Sequence, residues 1–372
     1  MRYFLIAGEA SGDLHASNLM QGLKQEDPEA DFLFVGGDLM REVAGKTPLQ
    51  HFKEMNFMGL FAVIKNVNTL RKILRRTKKD IAAYAPDALI LVDYAGFNLR
   101  IARAASEMGI RVFYYISPKV WAWRASRINQ LKKYVDRLFV IFPFEVDYFR
   151  RHGMEVEYHG NPLADVVAKF ESEKLSHEEF LSRYQPDDRP VIALLAGSRR
   201  QEINNCLPEM IKASQHFPGH RFLVAGAPSV EPSVYDTILA GTGISVVYNN
   251  TYNLLAHSRA AVVTSGTATL ETALLGVPQV VVYKTGGITY RIGKLFVNFR
   301  FFSLVNLVYG DELVRELLQY KLAEGIREEL NRIINDEEYS LRMREGYARI
   351  RELTGEAGTS RRIAHRMIEL LG

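Results

Sequence analysis

The sequence predicts an α/β protein made of two consecutive parallel-sheet halves. Three observations predict it. Apolar runs such as residues 88–92, 191–195 and 279–283 lack polar alternation, as strands covered on both faces require. Stretches with helical spacing separate these runs, the alternation that builds βαβ units. A charged, strand-poor stretch from about Asp165 to Pro190 divides the series in two and reads as a linker with a short helix. The length of 372 residues suits two to three domains of roughly 150 residues each. The expected boundaries are 1–165 and 166–355, with a C-terminal helix at about 356–372 that returns to the first half.

The first strand is Arg2 to Ala7, which starts too soon for a signal peptide. Gly8-Glu9-Ala10-Ser11-Gly12-Asp13 follows, and then a helix from about Leu14 to Gln25. The turn is neither GxGxxG nor a Walker A loop. It reads as a close-approach ligand loop or as a tight βα turn. A second strand, Phe32 to Val35, ends in Gly36-Gly37-Asp38. Loops after neighbouring parallel strands open on one sheet edge, where ligands bind.

From Phe57 to Leu74, apolar residues recur with helical spacing at Leu60, Val63, Ile64, Val67, Leu70 and Leu74. Lys65, Arg71, Lys72, Arg75 and Arg76 interleave with them, and Met58 and Phe61 add apolar bulk. Such a helix suits a membrane surface or a partner. It equally suits a core-facing helix with a solvated basic face. Nucleic acid is not the expected partner, because interleaved aromatics on a sheet are missing.

Strand Ala88 to Val92 delivers Asp93 to the carboxyl end of a buried strand. Asp93 could be a general base or a helix cap, and Asn98 is the better-placed cap. Strand Arg111 to Ile116 leads to a loop with both tryptophans, Trp121 and Trp123, beside Arg124. Two Trp residues there serve packing or wall a ligand. Strands Arg137 to Phe142 and Val156 to Tyr158 complete the first half.

The second half is expected to hold strands Val191 to Leu195, Arg221 to Ala225, Ser245 to Val247, Ala260 to Val263 and Gln279 to Tyr283, then a helical tail from Asp311. Gly197-Ser198-Arg199 opens a helix with backbone N–H groups, a hydroxyl and a guanidinium, a set suited to a diphosphate. Ser265, Gly266, Thr267 and Ala268 form a second small-residue helix start, and Glu271 lies one turn on. A carboxylate at that depth suits ribose hydroxyls. An ordinary βαβ turn with a surface Glu accounts for the same pattern.

Composition narrows the class. Hydrophobic content of 47% and charged content of 24% are ordinary for a soluble globular chain. The formal charge of +4 is too weak to name a polyanion. The single Cys206 excludes an intrachain disulfide, and no Cys/His zinc spacing exists. No run of about 18 apolar residues predicts a spanning helix.

Taken together, Gly8 to Asp13, Ser117-Pro118-x-Val120-Trp121-Ala122-Trp123-Arg124, Gly197-Ser198-Arg199, Ser265 to Glu271 and Ser303-Leu304-Val305-Asn306-Leu307 resemble the ordered signature blocks of the lipid-A-disaccharide synthase family. The resemblance spans nearly the whole chain. It implies a GT-B fold, two Rossmann-like domains facing across a cleft. It implies a Gram-negative glycosyltransferase, peripheral on the cytoplasmic face of the inner membrane, and admits a homodimer. The implied reaction joins UDP-2,3-diacylglucosamine to 2,3-diacylglucosamine 1-phosphate (lipid X) by a β(1→6) bond and releases UDP, with no cofactor and no metal. Asp93 would be the base. Ser198, Arg199, Ser265 to Ala268, Glu271 and Asn306 would bind the donor. Glu9, Ser11, Gly12, Asp13, Trp121, Trp123 and Arg124 would line the acceptor side. The Phe57–Arg76 helix and residues 296–302 would meet the membrane.

Two blocks depart from the family pattern. The Asp-Ala-Pro-Asp-Phe-Asn block reads Asp93-Tyr94-Ala95-Gly96-Phe97-Asn98, which leaves Asp93 as the one acid. A helix block with Met-Gly and then Glu-Val reads Met58-Gly59-Leu60-Phe61-Ala62-Val63. Two other readings are a UDP-N-acetylglucosamine 2-epimerase of the same fold and a non-catalytic binder of nucleotide sugars or membrane.

Overall fold

A computed structural model describes residues 1–55, 67–118, 120, 125–184, 187–286 and 300–372. The chain divides into two compact units, residues 1–165 with 354–372, and residues 166–353.

Unit 1 carries β1 (Arg2–Ala7), α1 (Ala10–Glu26), β2 (Asp31–Gly36), α2 (Asp38–Ala44), β3 (Gln50–His51), α3 (Val67–Tyr84), β4 (Ala88–Val92), α4 (Ala95–Glu107), β5 (Arg111–Tyr115), α5 (Ile128–Tyr134), β6 (Arg137–Val140), α6 (Pro143–Arg151) and β7 (Glu157–Tyr158). Its seven strands run in the order β3-β2-β1-β4-β5-β6-β7, all parallel. Buried Phe4, Ile6, Leu89, Leu91, Val112 and Tyr114 line one face of the sheet.

The chain crosses between units along α7 (Leu163–Glu173). Unit 2 then carries α8 (His177–Tyr184), β8 (Val191–Leu195), α9 (Arg200–Ser214), β9 (Arg221–Gly226), α10 (Pro232–Leu239), β10 (Ser245–Tyr248), α11 (Thr251–Ala256), β11 (Ser258–Thr264), α12 (Thr267–Leu274), β12 (Gln279–Tyr283), α13 (Leu304–Tyr309), β13 (Glu316–Leu318), α14 (Leu322–Asn335) and α15 (Glu337–Thr354). Its six strands run β10-β9-β8-β11-β12-β13, again all parallel. Every residue of β8 is buried, as its Val-Ile-Ala-Leu-Leu run predicts.

The last helix, α16 (Thr359–Glu369), belongs to unit 1. The Asp165 carboxylate accepts from the backbone N–H groups of Gly358, Thr359 and Ser360 at 2.6, 3.0 and 2.9 Å, so it satisfies the orphan donors that open this helix. On α1, Gly22 admits α16 closely: an added Cβ would lie 2.9 Å from the Ser360 carbonyl oxygen. Glu26 then accepts from Arg361 Nε at 2.6 Å and pairs with His365 Nδ1 at 2.9 Å.

Several expectations change. The helix after β1 starts at Ala10, so Ser11, Gly12 and Asp13 belong to its first turn and not to a loop. The linker holds two helices, α7 and the first of unit 2. The tail is not wholly helical, because the short strand β13 adds to the sheet edge beside β12. The edge pair β3 has only two residues, too few for a hydropathy period.

Candidate active site

In unit 1 the turns after β1 and β4 lie side by side, because Ala7 and Val92 are register partners. The turn after β4 is strained. Asp93 and Tyr94 both have φ of 45°, a left-handed conformation that costs a residue with a Cβ on the order of 1–3 kcal/mol. Hydrogen bonds hold it. The Asp93 N–H donates to the Tyr115 carbonyl at 3.2 Å. The Asp93 carbonyl accepts from the Tyr114 hydroxyl and from Asn98 Nδ2 at 2.8 Å, and Asn98 Nδ2 also donates to the Val92 carbonyl at 3.2 Å. Asn98 is thus no N-cap. It lies fully buried inside α4 and ties the strand end to the turn.

Tyr94 lies across Gly8. A Cβ on Gly8 would fall 2.2 Å from the Tyr94 ring, so only glycine fits there. The Tyr94 hydroxyl donates to the Met55 carbonyl at 2.8 Å. Burial and the nearby charge of Glu9 push its phenol up. Glu9 is the extended residue before α1 and is half-buried, and Ser11 is exposed.

Asp13 is buried, and its carboxylate accepts from the N–H groups of Gly37, Leu39 and Met40 at 2.7, 3.1 and 3.3 Å. It thereby satisfies the N–H groups that open α2, a structural task beside the acceptor-side role expected of it. A Cβ added at Gly12 would meet Ala7 at ordinary contact distance, so the site does not demand glycine by space alone. Trp121, Trp123 and Arg124 lie outside the described residues, as do Met58, Leu60, Phe61, Val63 and Lys65.

In α3 the two readings of the basic segment separate by face. Ile73, Leu74 and Ile81 pack into the unit 1 core, whereas Arg71, Lys72, Arg75 and Arg76 are exposed. The described part is therefore a core helix with a basic exterior.

In unit 2 the turns after β8 and β11 are neighbours, since Leu195 pairs with Val263. Gly197 has φ of 116°, and an added Cβ would lie 2.6 Å from Glu202. Glu202 explains that turn. Its carboxylate accepts from the Ser198 N–H at 3.0 Å and from Arg199 Nη1 at 3.2 Å. Glu202 sits in the first turn of α9, where an acid both caps and meets the helix dipole. Ser198 is tied further by its carbonyl, which accepts from Ser229 Oγ at 2.7 Å.

After β11, Ser265 Oγ donates to the Phe302 carbonyl at 2.8 Å. Gly266 and Thr267 are exposed and Ala268 is half-buried. Thr267 and Ala268 present the first N–H groups of α12, which have no partner within a helix. One turn on, half-buried Glu271 accepts from the Tyr252 hydroxyl at 2.7 Å. Burial raises the Glu271 carboxyl above the usual range, and that hydrogen bond opposes the rise.

Asn306 differs from its expected role. It is fully buried, accepts from Leu313 and Val314 N–H at 3.0 Å each, and donates to the Val314 carbonyl and to Glu316 at 2.9 and 3.0 Å. Its amide is engaged in holding the 303–316 segment together. Glu316 also accepts from the N–H groups of Phe302 and Ser303, at 2.7 and 2.8 Å. It thereby holds the segment that meets Ser265.

Glu202, Tyr252 and Glu316 were missed in the sequence. Glu202 carried a faint signal, an acid in the first turn after a Ser. Tyr252 carried none, because its partner lies on another helix. Among the described residues no group of three or more His, Cys, Asp and Glu side chains is placed to hold a metal ion. No helix among them is long and apolar enough to cross a membrane.

The model of the lipid-A-disaccharide synthetase family matches residues 3–363. The lipid-A-disaccharide synthase of Geobacter metallireducens is 38% identical, with 100% of this chain and 97% of that protein covered. That of Myxococcus xanthus is 36% identical over the same shares. Among solved structures, UDP-GlcNAc 2-epimerase from Neisseria meningitidis bound to UDP-GlcNAc superposes with a TM-score of 0.70 at 14% identity, covering 99% of this chain and 100% of that one. The calicheamicin glycosyltransferase CalG4 superposes with a TM-score of 0.59 at 16% identity, covering 100% and 98%. At such identities these two report the shared fold alone.

Proposed function

The chain belongs to the lipid-A-disaccharide synthetase family, glycosyltransferases of lipid A disaccharide synthesis, and from that premise we propose how its residues divide the reaction. The full-length match favours this activity over epimerisation or simple binding, since the epimerases share only the fold.

The observation that carries the division is the pairing of β8 with β11, which sets two helix starts side by side in unit 2. Ser198, Arg199 and the Gly266-Thr267-Ala268 turn receive the donor diphosphate. Glu271 accepts from the ribose. Both helix starts offer N–H groups and a positive dipole end to the negative charge that grows on departing UDP. Preorganised donors matter most where charge develops, so these contacts favour the transition state over the bound donor.

In unit 1, Asp93 takes the proton from the 6-hydroxyl of 2,3-diacylglucosamine 1-phosphate. That oxygen attacks the anomeric carbon of UDP-2,3-diacylglucosamine, the bond to the diphosphate breaks, and UDP leaves. A single displacement inverts the anomeric centre. The backbone of Asp93 is held by Tyr114 and Asn98, which fixes the point from which its side chain projects. The acylated substrates are collected at the cytoplasmic face of the inner membrane. The exposed cations of α3 support that reading.

The test is Asp93→Asn. General-base assistance is worth about 10²–10⁴-fold, so turnover drops by that factor while UDP affinity in calorimetry stays put. Near-normal turnover by the purified variant would remove Asp93 from the mechanism.

A further inference from the structure

The carboxylate assigned to the ribose is itself held. Tyr252 reaches Glu271 Oε1 from α11, and its ring meets Phe170 edge-on, with centroids 5.5 Å apart and planes at 88°. Phe170 lies on α7, the helix along which the chain enters unit 2. The backbone under Tyr252 is pinned as well. Asn253 Oδ1 accepts from the Leu175 N–H at 2.9 Å, and Asn253 Nδ2 donates to Asn250 Oδ1 at 2.7 Å. Asn250 Nδ2 donates in turn to the Tyr184 hydroxyl at 3.0 Å. The Tyr252 hydroxyl therefore arrives from a ring with little freedom.

This arrangement divides the work of one carboxylate. An ionised carboxylate offers about four lone-pair sites on two oxygens. Tyr252 occupies one oxygen and restrains where the group lies. The other oxygen is then aimed and not searching. Burial alone would favour protonation of Glu271, which would turn an acceptor into a donor. The phenol donates to the ionised form and works against that.

We propose that Tyr252 is a positioning residue for ribose recognition, its hydroxyl holding Glu271 Oε1 so that Oε2 accepts from a vicinal ribose hydroxyl. The proposal rests on the reading that Glu271 meets the ribose. Tyr252 itself touches neither the sugar nor the reacting atoms.

The experiment is calorimetry of the full-length protein, wild type, Tyr252→Phe and Glu271→Gln, with UDP and with 2′,3′-dideoxyuridine diphosphate as probes. Phe keeps the ring and its packing on Phe170, and a thermal melt checks the fold. Tyr252→Phe is expected to weaken UDP by roughly 3–10-fold, the worth of one ordinary hydrogen bond. The dideoxy probe is expected to lose almost nothing, because it lacks the hydroxyls that Glu271 serves. Without the phenol the Glu271 carboxyl rises further. As pH is lowered, the variant should therefore lose UDP affinity at a higher pH than wild type does. Unchanged UDP affinity in Tyr252→Phe, or equal losses for both probes, overturns the proposal and leaves Tyr252 a packing residue. If Glu271→Gln binds UDP as wild type does, the ribose reading itself falls, whatever Tyr252 does.

Discussion

Arg199 is paired with a carboxylate of its own helix, and that pairing decides how it can serve a diphosphate. Its side chain is 56% exposed, so the bond to Glu202 is an exposed ion pair worth only about 0–1 kcal/mol. A charge-assisted contact to phosphate is worth about 1.5–3 kcal/mol. The phosphate wins that competition, and Arg199 can turn from Glu202 to the ligand. Arg199→Ala should therefore weaken UDP by about 10–100-fold in calorimetry. Glu202→Gln should act in the opposite sense. Gln still accepts from the Ser198 N–H, so the turn survives, while a negative charge beside the diphosphate is gone. A few-fold gain in UDP affinity is expected; a loss would mean that Glu202 orients Arg199 more than it repels the ligand. At this scale the sequence showed which residue types gather at the sheet edges. It did not show which of them the fold itself consumes. Asp13 and Asn306 have the right chemistry for ligands, yet each makes several hydrogen bonds to backbone. Only three-dimensional neighbours reveal that.

At the scale of elements, strands were legible because a buried parallel strand writes its whole length as an apolar run. Boundaries were less legible where a glycine sits. Gly12 suggested a loop, but it is the third residue of α1. The real constraint on a glycine in this stretch is at Gly8, and it is set by a ring 86 positions away, which no local pattern encodes. The contact couples two elements, the turn after β1 and the strained Asp93–Tyr94 turn after β4. Gly8→Ala must push the Tyr94 ring and, through it, Asp93. Turnover should fall by about 10²-fold or more, the order of general-base loss, with UDP affinity unchanged. Tyr94→Ala removes the obstacle. The double variant Gly8→Ala/Tyr94→Ala should then be more active than the product of the two single losses predicts, a coupling expected of groups in contact. Strictly multiplicative losses would show that the two turns do not act on each other.

At the scale of the whole molecule, the two-sheet organisation was legible from strand alternation, and the activity from the ordered motifs. What the sequence left open was the purpose of the basic segment after Met55, because a core helix and a surface helix share one hydropathy period. The fold resolves half of it. Within α3 the apolar residues Ile73, Leu74 and Ile81 are spent on the unit 1 core, so this helix cannot insert them into lipid. Its exposed cations, Arg71, Lys72, Arg75, Arg76 and Lys79, stay on the surface. On the membrane reading they act as charge, and insertion falls to residues before Val67 or to the 296–302 segment, in which Phe302 is exposed. The two contributions can be separated. Each cation near an anionic surface contributes about 1 kcal/mol before screening, so replacing Arg71, Lys72, Arg75 and Arg76 with Gln should lower partition onto anionic vesicles by roughly a thousandfold at low salt. The same change should leave thermal stability and UDP affinity near wild type, because the side chains are exposed and the proposed donor residues lie in unit 2. Replacing Met58, Leu60, Phe61 and Val63 with Ser should instead leave a binding component that salt removes completely. Vesicle co-sedimentation across a salt series measures both. If the Gln variant pellets as wild type does, α3 is a core helix whose basic exterior serves solubility alone, and the anchor must be sought in the 296–302 segment, first at exposed Phe302.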